Sequence, residues 1–119
     1  MQNENKDLKP RTKAFALRII RMYAALPKST VAQVLGKQVL RSGTSVGANY
    51  REAYRARSRA EFIAKLGDSL KELDETIYWL ELLIEADIIS AHKLSDLVDE
   101  TSQLTAIFVS IINTTKRSA

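Results

Sequence analysis

Apolar residues recur along this chain at steps of three and four, the period of an α-helix that buries one face. Phe15, Ile19, Met22 and Leu26 mark a first helix from about Arg11 to Leu26. Pro27 stops it, because proline disfavours a helical residue before it. Thr30-Val31-Ala32-Gln33 then has the form of a capping box, the Gln33 amide reaching back to the backbone at Thr30. The helix it opens turns Val31, Leu35 and Val39 inward and runs into Gly43 and Gly47. Each glycine costs about 1 kcal/mol relative to alanine inside a helix, which predicts a kink or break there.

Ser58-Arg59-Ala60-Glu61 is a second capping box, followed by the longest stripe in the chain: Phe62, Leu66, Leu70, Leu73, Ile77, Leu80 and Ile84. It ends near Ala86, so at 1.5 Å per residue the helix is roughly 40 Å long. After Asp87-Ile88-Ile89, Ser90 is placed to cap a fourth helix carrying Leu94, Leu97, Thr101, Leu104, Phe108 and Ile111. No segment alternates as a strand would. Four long helices with short connections predict an all-α, antiparallel up-down four-helix bundle over residues 11–117, preceded by a flexible tail over residues 1–10. Trp79, Leu82, Leu83 and Ile88 lie off the third stripe, and Val98, Ile107 and Ile112 off the fourth. Either the core is broad or a second face meets another subunit, which points to a homo-oligomer.

Composition agrees with long regular elements in one domain. Among 119 residues there are 2 prolines and 4 glycines, so turns are few. The absence of cysteine removes disulfides, thiol catalysis and thiolate metal sites, and fits a reducing compartment. The start, MQNENKDLKPR, has no apolar centre and does not read as a signal peptide. No run approaches the roughly 18 apolar residues of a membrane helix, so the expectation is a soluble cytoplasmic protein with no membrane partner.

Charge divides the chain. Residues 1–65 hold 14 Lys and Arg against 4 Asp and Glu, whereas residues 66–119 hold 4 against 10. This division suits a nucleic-acid surface, subunits meeting basic side to acidic side, or helices neutralising one another within the bundle.

Enzyme chemistry finds little support. Gly43-Thr44-Ser45-Val46-Gly47 matches the G-x-S-x-G nucleophile form. That form requires a strand-to-helix elbow, yet residues 30–42 have helical period, and the one histidine, His92, reads as exposed. A bundle metal site needs Glu-x-x-His pairs, which do not occur, and Glu52, Glu72 and Glu75 are better matched to nearby cations. No phosphate-cradling glycine loop is present. The chain reads as non-enzymatic, with no cofactor and no metal.

Arg41, Arg51, Arg55, Arg57, Arg59 and Lys65 fall within 25 residues that contain only Glu52 and Glu61 as acids. Arg51 and Arg55 lie one helical turn apart, and Arg57 and Arg59 flank the turn into the third helix, where free N–H groups also favour anions. Tyr50 and Tyr54 are spaced to stack on unpaired bases beside those guanidiniums. The same residues equally describe a solvated loop, or arginines that pair with a neighbouring subunit's Asp68, Asp74 or Glu81.

Residues 36–89 resemble a known family. The resemblance rests on Leu40-Arg41-Ser42-Gly43-Thr44-Ser45-Val46-Gly47-Ala48-Asn49, Glu61-Phe62-Ile63, Ser69-Leu70-Lys71-Glu72 and Glu75-Thr76-Ile77-Tyr78-Trp79-Leu80-Glu81. These pieces together are similar to the 23S rRNA intervening-sequence proteins. The resemblance implies a four-helix bundle assembled as a ring, typically a homopentamer. Accessory proteins of diversity-generating retroelements share that fold and assembly, and bind a reverse transcriptase and nucleic acid through a basic surface. It therefore implies RNA or a ribonucleoprotein as partner, or a scaffold role docking an enzyme such as a reverse transcriptase. One departure stands out: Tyr50-Arg51 replaces the usual aliphatic-alanine pair after Asn49. It either strengthens an RNA surface or alters a subunit contact. Asn49 and Glu52 are expected to fasten the second helix to the third as a polar pair.

Overall fold

In a computed structural model, which describes the backbone of residues 2–118 and the side chains from Leu8 to Ser118, four helices follow one another. They are α1 (Gln2–Ala24), α2 (Thr30–Tyr54), α3 (Arg59–Glu85) and α4 (Ala91–Arg117), with no strand among the described residues. The bundle is elongated, 49 × 22 × 20 Å. Pairings across the seams run in opposite sequence directions. Thr12 meets Gly47 while Ile19 meets Gly43, and Ser69 reaches Val46 while Thr76 reaches Ser42. Each neighbour is therefore antiparallel, as expected of an up-down bundle.

Helix α1 begins earlier than the expected Arg11. It passes through Pro10, and Leu8 is buried in the core at 1 % exposure. A domain boundary at residue 10 thus falls inside a helix, because Leu8 extends the stripe by one full turn below Thr12 and Phe15. The side chains of residues 1–7, on which the rest of the expected tail falls, lie outside the described ones.

The second N-terminus also differs from expectation. Ser29, not Thr30, is the cap, its hydroxyl accepting from the Ala32 N–H at 3.3 Å. Gln33 reaches past the helix end, donating from Nε2 to the Pro27 carbonyl at 2.8 Å and accepting from the Tyr23 hydroxyl at 3.0 Å. It fastens the linker rather than closing a capping box. Ser58 does cap α3, accepting from the Glu61 N–H at 3.0 Å. Ser90 occupies the cap position of α4 without a side-chain hydrogen bond to the helix.

Helix α2 does not break at its glycines. Gly36, Gly43 and Gly47 lie on the face turned to α1, and all three are buried. A Cβ at Gly43 would stand 2.7 Å from Ile19 Cγ1, at Gly36 2.6 Å from Leu26 Cδ1, and at Gly47 2.9 Å from Thr12 Oγ1. Intimate packing against α1 outweighs the propensity cost that predicts a kink. The other flank of α2 meets α3 through buried hydroxyls. Ser42 Oγ and Thr76 Oγ1 share a 2.8 Å hydrogen bond, and Ser69 Oγ donates to the Val46 carbonyl at 2.9 Å.

The core contains Phe15, Ile19, Val39, Leu66, Leu73, Leu80, Leu104 and Phe108. Leu83 and Ile112, which lie off the simple stripes, are buried there too, while Trp79, Ile88, Val98 and Ile107 are half-buried against it. The broad-core reading accounts for these positions. Among the described residues no helix is long and apolar enough to cross a membrane.

Candidate nucleic-acid interface

The antiparallel course brings the start of α1, the end of α2, the start of α3 and the end of α4 to one end of the bundle. Arg51, Arg55, Arg57 and Arg59 are all exposed at this end. Lys116 and Arg117, from the last turn of α4, join them there and are also exposed. None of these six has a carboxylate within ion-pair distance among the described residues.

Helix electrostatics separate the six into two kinds. Arg51 and the C-cap Arg55 end α2, and Lys116 and Arg117 end α4, so each complements the negative end of a helix macrodipole. Arg57 and Arg59 instead crowd the start of α3, where the dipole is positive. Glu61 in the first turn offsets part of that charge. Fold stability alone accounts for the first group and not for the second. A bound anion near Arg57 and Arg59 would relieve their mutual repulsion.

Other expected contributors lie elsewhere. Arg41 is exposed on the outer side of α2, about 15 Å along the helix from Arg51, and so stands apart from the pole. Lys65 is paired with Glu52 at 2.7 Å across the α2–α3 seam. The hydrogen bond from Lys65, then its charge, lowers the Glu52 pKa, and the Lys65 pKa rises in turn. That cation is already compensated.

Tyr50 is not available to stack on bases. It has 0 % exposure and lies in the core, its ring parallel to Phe108 with centroids 5.9 Å apart. Burial pushes its phenol up to about 12, with the nearby Tyr54 adding to the effect. The bulk that sets this chain apart at Tyr50 therefore points inward, and only Arg51 of the pair faces solvent. Tyr54 remains 50 % exposed, one face of its ring covered by the Lys9 ammonium at 4.1 Å. Lys9 thereby adds a further cation at the same end of the bundle.

The expected Asn49–Glu52 pair does not form. Glu52 faces solvent and holds Lys65, while Asn49 is half-buried. Glu52 does link α2 to α3, but at the surface; the buried fasteners are Ser42, Thr76 and Ser69. The G-x-S-x-G serine is helical, and Ser45 Oγ donates to the Arg41 carbonyl at 2.7 Å. His92 is exposed, and among the described residues no group of three or more acidic or histidine side chains is placed to hold a metal.

Sequence reasoning overlooked Lys9, Lys116 and Arg117, because they are remote in sequence from the arginine run. The antiparallel fold carries the signal that finds them: in such a bundle the end of the fourth helix returns beside the start of the third.

These features define a class of protein: an all-α bundle of four long antiparallel helices with a cationic end. The family model for the 23S rRNA-intervening sequence protein matches residues 4–110, and the chain belongs to that family. A solved structure from the S23 ribosomal protein family, a Bacteroides thetaiotaomicron VPI-5482 protein of unknown function, is similar to it at 44 % sequence identity. The match covers 88 % of this chain and 97 % of that one, with a TM-score of 0.83. Among curated proteins, none matches.

Proposed function

We propose that this protein is a non-enzymatic, homo-oligomeric bundle that binds structured RNA, alone or within a ribonucleoprotein, through its cationic end in the cytoplasm. The observation that carries the reading is the convergence of Arg51, Arg55, Arg57, Arg59, Lys116 and Arg117 at one pole without carboxylate partners among the described residues. Arg57 and Arg59 sit against the favoured dipole sign there, so a phosphate is the natural counter-ion. Tyr54, half-exposed beside these cations, supplies a ring for an unpaired base to stack on.

Assembly has support of its own. The α1–α2 side exposes Leu17, Ile20 and Val34 among Lys13, Lys37 and Arg41. The α3–α4 side exposes Tyr78 and Val109 among Asp74, Glu81 and Glu85. Two unlike, charge-complementary faces favour head-to-tail contact, which closes into a ring when the rotation permits. The pentamer implied by the family resemblance is one such closure.

Fluorescence anisotropy on a structured RNA across a salt series tests the proposal. Each phosphate neutralised contributes about 0.7–0.9 to the slope of log affinity against log salt. Changing Arg55, Arg57 and Arg59 together to Ala is expected to lower that slope by about 2 to 3. Salt-independent binding, or full affinity in the triple variant, defeats the RNA reading. Light scattering that shows a salt-labile ring without RNA affinity assigns the arginines to subunit contacts instead.

A further inference from the structure

The seam between α1 and α4 is the loosest in the bundle, and toward the α1 C-terminus it opens into a groove of about 340 Å³. Arg18 and Arg21 form one wall, Lys93 and Asp96 the other, over a floor that includes Met22 and Leu94. Three cations thus face one carboxylate above an apolar base. Arg21 and Lys93 have no ion-pair partner among the described residues. Arg18 lies close enough to help lower the Glu100 pKa, but Glu100 is already held at 2.8 Å by Arg11, which lies about two turns before Arg18 on α1. The groove lies at the opposite end from the arginine pole, and away from the α1–α2 and α3–α4 faces assigned to assembly.

From this arrangement we propose a second binding site, for an acidic peptide segment of a partner protein that carries an aliphatic anchor. The anchor occupies the apolar floor, and carboxylates on either side of it meet Arg18 and Arg21 on one wall and Lys93 on the other. An open, elongated groove between two helices suits a chain lying along it better than a small molecule that must be enclosed. The charge surplus selects acidic segments, and the floor rejects purely polar ones.

The probe is a fluorescein-labelled peptide, Glu-Leu-Asp-Glu-Leu-Glu, read by anisotropy against the full-length protein. Arg18→Gln, Arg21→Gln and Lys93→Gln are each expected to weaken binding about two- to five-fold, as for exposed ion pairs, and together more than tenfold. Asp96→Asn is expected to tighten it. Ala25→Trp, at an exposed position on the rim, blocks the groove without entering the core and abolishes binding. Replacing both leucines of the peptide by serine removes binding as well. The Arg55, Arg57 and Arg59 alanine triple variant leaves peptide affinity unchanged, which separates this site from the RNA pole.

Three outcomes overturn the proposal. The first is undiminished peptide binding in the Arg18, Arg21 and Lys93 triple variant. The second is a fall in assembly mass by light scattering in that variant, which makes a second copy of the chain the occupant. The third is loss of RNA affinity in that variant without loss of peptide affinity, which makes the groove a phosphate site.

Discussion

Helix α1 is held by two unlike seams. Against α2 it packs on bare backbone, with Thr12, Ile19, Tyr23 and Leu26 filling the space left by three glycines. Against α4 it touches little, and the contact that spans the seam is ionic: Arg11 donates to Glu100 at 2.8 Å through both Nε and Nη2, and to Gln103 at 3.0 Å. The first seam is a matter of shape, where small changes in volume are felt at once. The second is a matter of charge near solvent, where the penalty for loss is modest and depends on pH. A rigid frame on one side leaves the other side free to hold a groove.

The largest effect is expected from Gly43→Val. Its Cβ alone would stand 2.7 Å from Ile19 Cγ1 and 3.0 Å from Ile19 Cγ2, atoms anchored close to the α1 backbone. Overpacking of this kind costs about 3 kcal/mol, which urea unfolding resolves. Adding Ile19→Ala should recover part of that loss, and the non-additivity of the double-mutant cycle isolates the contact. Additive losses would mean that the two helices do not meet there.

A smaller loss is expected at the α2–α3 seam from Thr76→Val. The substitution keeps the shape but removes the 2.8 Å partner of the Ser42 hydroxyl, leaving it only a long 3.4 Å bond to the Val39 carbonyl. Exchanging a short buried hydrogen bond for a long one costs about 1 kcal/mol. Ser42→Ala in the same chain should return some of it, since no hydroxyl is then left with the long bond alone.

The contrast between shape and charge also explains what the sequence discloses. Helix number, order and type are legible because Phe62 to Ile84 and Leu94 to Ile111 repeat at the helical period, and that period survives folding unchanged. The start of α1 is not legible: Leu8 falls on the period of Phe15, but the position between them is the polar Thr12 and Pro10 interrupts the turn. The kink expected at Gly43 and Gly47 fails because propensity is local, whereas the partner that rewards a missing side chain, Ile19 or Thr12, lies on another helix. Tyr50 misleads for a similar reason. Its spacing from Tyr54 is visible in the sequence, but the rotation that turns it onto Phe108 is set by tertiary packing. Arg51, Arg55, Arg57 and Arg59 are readable as a run, while Lys9, Lys116 and Arg117 join them only through the topology.

At the ionic seam, Arg11→Ala is expected to cost about 1 kcal/mol at neutral pH, the scale of a partly exposed, bidentate pair. The Arg11 hydrogen bond is the main cause holding the Glu100 pKa below its ordinary value of 4.5, with burial opposing it. A carboxylate whose folded pKa is depressed contributes stability above the unfolded pKa and loses it as pH falls through the folded value. The difference between wild type and Arg11→Ala should therefore be full at pH 7 and shrink progressively below pH 4.5. An unfolding difference that stayed constant down to pH 2 would show that Arg11 acts through packing of its methylene stem and not through charge.

At Gly67 the expected sign reverses. Gly67 lies within α3 and is half-buried, yet a Cβ there would meet nothing within 4 Å. If glycines in this chain served helix packing generally, Gly67→Ala would destabilise it as Gly43→Val does. The geometry assigns Gly67 no partner, so only the intrinsic helix preference remains. Alanine is favoured over glycine by about 0.8–1.0 kcal/mol in a helix interior, partly through the entropy of the unfolded chain. Thermal unfolding of Gly67→Ala should accordingly show a rise in Tm of a few degrees. A fall would place an unrecognised contact beside Gly67 on α3.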